Sequence, residues 1–141
     1  MKLGDVKGLV EGGGVLSMTA LESGAKVAYK LFLFRKEITK AYDSIKEQEH
    51  ELLEENNIDV IADFDSEGKF KSDSEEKAEK WNRFSKLRAE MFATDYPISV
   101  PMLTYDEWFL VYKENKARIN PFVEGMLEGI LWKAEETVEE K

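Results

Sequence analysis

The chain has 141 residues, no cysteine and a formal net charge of −9, a length that fits one domain. Without thiols it has no disulfide, thiol nucleophile, iron–sulfur cluster or thiolate zinc site, and its single histidine, His50, argues against a histidine-rich metal site or a Ser-His-Asp triad. The acidic balance disfavours a phosphate backbone as partner. Apolar runs such as Leu31 to Phe34 are far short of the roughly 20 residues that span a bilayer.

The opening is glycine-rich. Leu3, Val6 and Val10 recur at helical spacing, but Gly4, Gly8 and Gly12 to Gly14 weaken a helix. The expectation is a short helix, a flexible glycine joint, and a second short helix through Val15, Leu16 and Leu21. A single domain over 1–141 would then begin with a flexible segment, 1–24, and end with an acidic tail, 134–141.

The strongest element is a helix from about Ala25 to Asn57. Val27, Leu31, Phe34, Ile38, Ala41, Ile45, Gln48 and Leu52 follow alternating steps of four and three, a heptad stripe with one polar interruption. Tyr29, Phe32 and Leu33 add a second apolar edge near its start. A lone amphipathic helix of this length is marginal in water, so it needs a partner. The segment from about Ser74 to Ala93 supplies one, with an apolar face of Ala78, Trp81, Phe84, Leu87, Met91 and Phe92. Ser72 with Glu75, and Asp73 with Glu76, have capping-box spacing.

Between these helices, Ile58, Val60 and Ala62 alternate with Asp59, Ile61 and Asp63, which reads as β, followed by a turn at Asp65 to Gly68 and a return at Lys69 to Lys71. Ile98, Val100 and Met102 suggest a further strand over 96–103, which Pro97 and Pro101 confine to an edge. Thr104 with Glu107 then caps a short helix carrying Trp108, Phe109, Val111 and Tyr112. Asn120-Pro121 starts another, with Phe122, Val123, Met126, Leu127, Ile130 and Leu131 on its apolar face. The expected fold is therefore α+β and mostly α: a long antiparallel helical hairpin, a small β element and two short C-terminal helices.

The order of features, with Ala25-Lys26-Val27-Ala28-Tyr29-Lys30-Leu31 opening the long helix, Leu52-Leu53-Glu54-Glu55-Asn56 closing it, and Asn120-Pro121-Phe122 opening the last, resembles a group of small uncharacterised phage or prophage proteins with a helical hairpin, the DUF1617-like group. In residues the resemblance covers only Ala25 to Leu31. It implies a phage-encoded setting and carries over no activity and no catalytic residue.

Two patterns suggest metal chemistry. Asp63-Phe64-Asp65-Ser66-Glu67-Gly68 matches the first half of an EF-hand loop, with Phe70 at its apolar position, but Ser74 stands where a bidentate glutamate belongs. An acidic hairpin turn explains the same residues. His50 and Glu54 share a helix face at i,i+4, but without a third ligand a solvated surface histidine is the better explanation. Glu75-Glu76 and Glu135-Glu136 sit at a helix start and in a tail, where solvation is the ordinary explanation. Gly12-Gly13-Gly14 lacks the Lys-Ser/Thr of a phosphate loop.

No catalytic, cofactor or metal residue is therefore assigned. The second helix is shorter than the first, so part of the stripe is left for a protein partner, and Leu31, Phe34, Ile38, Ile45 and Leu52 are the expected contact residues. The expected function is a non-enzymatic, phage-derived interaction or assembly protein. Its partner would be a second copy or another phage protein, in the host cytoplasm or attached to the virion, with no nucleic acid and no membrane involved. The alternative is an acidic decoy that occupies a host nucleic-acid-binding protein. Charge is spread evenly between chain halves, −5 over 1–70 and −4 over 71–141.

Overall fold

The apolar stripe decides the architecture. In the computed structural model, which describes residues 1–133, it belongs to the second of five helices: α1 (Leu3–Glu11), α2 (Ala25–Glu55), α3 (Glu75–Phe92), α4 (Tyr105–Asn115) and α5 (Pro121–Leu127). At 31 residues α2 is about 46 Å long. Its Val27, Leu31, Phe34, Ile38, Ala41 and Ile45 are all buried in one core cluster. α3 returns antiparallel to α2. Asn56 at the end of α2 accepts a hydrogen bond from Arg83 Nε at 2.6 Å, and one turn back Leu52 lines a groove with Leu87.

α1 is the cover that the glycines hid. It buries Leu3, Val6 and Leu9 and packs against both α2 and α3. Residues 1–3 are tied down at the end of α3, where Leu3 N–H donates to the Thr94 carbonyl and Tyr96 N–H to the Met1 carbonyl at 3.0 and 2.6 Å. The segment expected as a flexible joint makes a close contact instead. A Cβ on Gly13 would stand 2.6 Å from Val123 Cγ2, and one on Gly14, at φ +71°, would strike the Arg118 carbonyl. Beyond it Val15–Ser17 form a single 3-10 turn, with no second helix through Leu21.

The α+β expectation is overturned: no strand or sheet occurs among the described residues, only isolated single-residue bridges such as Phe64 with Phe70 and Leu103 with Trp132. The reason lies in side chains that consume backbone donors. Asp59 Oδ1 accepts the N–H groups of Ile61 and Ala62 at 2.8 and 3.0 Å, which closes a turn where alternation implied a strand, and Val60 and Ile61 face solvent. Pro97 and Pro101 remove two donors from the 96–103 segment. What fills the space under the 58–73 connection is aromatic: Phe70 stacks on Trp81 at 4.7 Å, with Phe64 edge-on to both.

Helix ends mostly follow local chemistry. Thr104 and Glu107 form the expected capping box, and Asn120 caps α5 with Pro121 at its first position. The cap of α3 is Ser74, whose hydroxyl accepts the Lys77 N–H at 3.2 Å, in place of Ser72 or Asp73. α5 stops at Leu127. Gly129, at φ +86°, turns the chain so that Leu131 and Trp132 enter the core from a loop and not from a helix face. The expected acidic tail, 134–141, lies outside the described residues.

Candidate functional site

With the stripe covered, the surface of α2 is set by its charges. Residues 25–40 carry five cations, Lys26, Lys30, Arg35, Lys36 and Lys40, against Glu37 alone, whereas 41–55 carry six carboxylates against Lys46 alone. On the basic half, Tyr29 and Phe32 are exposed and their rings stack at 6.4 Å. Leu16, Phe32, Arg35 and Lys36 border one shallow depression beside them. Arg35 donates to the Met18 carbonyl, which fixes the 3-10 turn against this end of the helix. Lys30 is withdrawn from the surface by an ion pair to Glu107 at 3.0 Å and a bond to the Met102 carbonyl at 3.2 Å.

The acidic half of α2 forms one wall of a groove of about 430 Å³ between α2, the end of α3 and the chain start. Leu3, Leu52, Leu87, Met91 and Tyr96 make its apolar floor. Glu51, Glu55, Glu90 and Asp95 rim it, and no lysine or arginine is among its lining residues. Four carboxylates around an apolar floor attract a cationic group that carries apolar surface of its own.

Two carboxylates elsewhere are committed to the fold. Asp63 is held below the ordinary aspartate range by the Asp59 N–H at 2.7 Å, against the upward push of burial, with further help from Lys80 at 3.2 Å and from Lys77. Glu114 is held low by the Thr19 hydroxyl and by the Leu21 and Glu22 N–H groups, both at 3.0 Å. These groups fasten loops to helices.

No protein-family model, curated protein or solved structure matches this chain. The chemistry of its surfaces is therefore the ground for a functional reading. Among the described residues, no helix is long and apolar enough to cross a membrane, and no three His, Cys, Asp or Glu side chains are grouped to hold a metal ion.

Of the expected contact residues, Leu31, Phe34, Ile38 and Ile45 lie in the core at no more than 1% exposure, so they serve folding and offer no surface. Leu52 is different: it is half-buried and sits in the floor of the acidic groove. In the EF-hand-like turn, Asp65 Oδ1 accepts the Glu67 and Lys69 N–H groups, each at 2.9 Å, while Asp63 faces Lys77 and Lys80 of α3. His50 Nε2 lies 3.0 Å from Glu54 Oε1 on a face about 70% exposed. The charge reversal within α2 was hidden by counting over chain halves; counting over the halves of this helix shows it.

Proposed function

We propose that the chain is a non-enzymatic assembly protein, in the phage-encoded setting that the Ala25–Leu31 resemblance implies, and that copies join by docking the basic, aromatic end of α2 into the acidic groove of a neighbour. The observation that carries this reading is the groove itself, with Leu52 in its floor and four carboxylates unrelieved by any lining cation. The chain displays a matching knob: stacked Tyr29 and Phe32, with Lys36 one helical turn beyond Phe32. Apolar rings supply contact area, and the charges supply register and encounter rate. Because knob and groove are different patches, the contact is heterologous, which closes into a ring or extends into a filament.

A mixing experiment tests it. A knob variant, Phe32→Asp with Lys36→Glu, and a groove variant, Glu51→Lys with Glu90→Lys, should each be monomeric. Mixed, they should form a 1:1 pair and nothing larger, since one intact knob meets one intact groove. A groove variant that still assembles contradicts the reading. The decoy reading draws on the same cation-free rim: a wild-type chain that stays monomeric yet binds a basic nucleic-acid-binding protein in competition with DNA would replace self-assembly with capture.

A further inference from the structure

We infer that a second groove, on the outer side of α4, is a binding site for a small planar aromatic carboxylate. The groove has a volume of about 430 Å³, within the range of small-molecule sites. Its floor is the pair Trp108 and Trp132, whose rings are parallel to within 3° at 5.8 Å. Tyr105, Phe109 and Tyr112 wall it, Tyr105 packing edge-on against Trp132 at 5.8 Å. Rings held in this way present π-faces and edges to a flat guest, which aromatic pairs favour over an aliphatic one of equal size.

Two further features select the guest's polar group. The Trp132 indole N–H is buried with no hydrogen-bond partner, in a residue that is only 8% exposed. Such a donor is costly to leave unmade and is recovered by an acceptor. Tyr105, packed edge-on against Trp132 and 47% exposed, is the ring that an acceptor reaching this donor would displace. Lys113 and Lys116 line the same groove against Glu124 alone, a local excess of positive charge on an acidic protein. Lys113 Nζ now rests over the Phe109 ring at 5.6 Å, a cation–π contact that a carboxylate can exchange for an ion pair. An aromatic ring with one carboxylate satisfies the walls, the indole donor and the lysines together.

The test is a titration of the full-length, isotope-labelled chain with 2-naphthoate, read at the three tryptophan indole N–H signals. The Trp132 signal, assigned with Trp132→Phe, should move downfield and saturate with a Kd of about 1 mM or tighter, as expected for a ligand of this size. Trp132→Phe keeps a ring and removes the donor, and should weaken binding about tenfold as read at the Trp108 signal. The double surface variant Lys113→Gln with Lys116→Gln leaves the floor untouched, guards against a folding defect in the first variant, and should weaken binding by a similar factor. No saturable shift of Trp132 up to about 10 mM overturns the site. So does equal binding of cyclohexanecarboxylate, or affinity unchanged in the lysine variant.

Discussion

The side-chain amide of Asn115 pairs with both backbone groups of Thr19: Oδ1 accepts the Thr19 N–H at 2.8 Å and Nδ2 donates to the Thr19 carbonyl at 2.7 Å. A third bond, from Nδ2 to the Val111 carbonyl at 2.7 Å, leaves this fully buried amide satisfied. With Glu114 gripping residues 19 to 22, the end of α4 clamps the segment that leads into α2. Asn115→Leu keeps the volume but strands two peptide groups. Urea unfolding should show a loss of about 2–4 kcal/mol; a loss below about 0.5 kcal/mol would mean the clamp is ornamental.

Two glycine substitutions should act in opposite directions. Gly14→Ala places a Cβ against the Arg118 carbonyl at a left-handed φ of +71° and should lower stability by at least about 1–2 kcal/mol. Gly8→Ala lies within α1, where an added Cβ meets nothing within 4 Å. It should raise stability by about 0.5–1 kcal/mol. Thermal midpoints of the two variants check this directly, and equal shifts would contradict the close approach at Gly14.

Ile38→Asp and Ile45→Asp put a carboxylate where exposure is 0% and 1%. A buried, unpaired charge of this kind unfolds a marginally stable domain. Far-ultraviolet circular dichroism should show loss of helix in both variants. Retained helicity would return these positions to the surface.

Low pH should loosen the loops before the core. Asp59, Asp63, Glu107 and Glu114 are all held below their ordinary values. For Glu107, burial pushes upward and is outweighed by the Thr104 N–H and by Lys30. Each group binds fewer protons folded than unfolded, so its contribution is present above the ordinary carboxyl value and is lost as pH falls through the lowered one. The thermal midpoint should therefore stay level from pH 7 to about 5 and fall below that. Glu114→Gln should reduce the slope on the acid side; an unchanged slope would show that Glu114 is not held low in the folded chain.

Periodicity and caps made α2, α4 and the start of α5 legible, because a helix is set by residues three and four apart. The 4,3 stripe named the buried face of α2 correctly but assigned it to a partner. Its missing cover was α1, whose glycines cost helix propensity yet leave room for close packing: a Cβ on Gly4 would stand 3.3 Å from Phe92, and one on Gly13 would stand 2.6 Å from Val123. Those contacts lie up to 110 positions apart and leave no local mark. Alternation over 58–62 misled because Asp59 competes for the backbone, an effect of one side chain that a two-residue period cannot register. The acidic groove draws on Leu3, Leu52, Glu90 and Asp95, so only Leu52 could be singled out beforehand.

The most direct check of the proposed assembly is the absolute mass of the unmodified chain in solution, by light scattering over a range of concentrations at about 0.05 M and about 0.5 M salt. Docking of a basic knob into a carboxylate rim predicts a mass that rises with concentration at low salt and falls toward 16.2 kDa at high salt. A mass of one chain under every condition, or an assembly indifferent to salt, would contradict it.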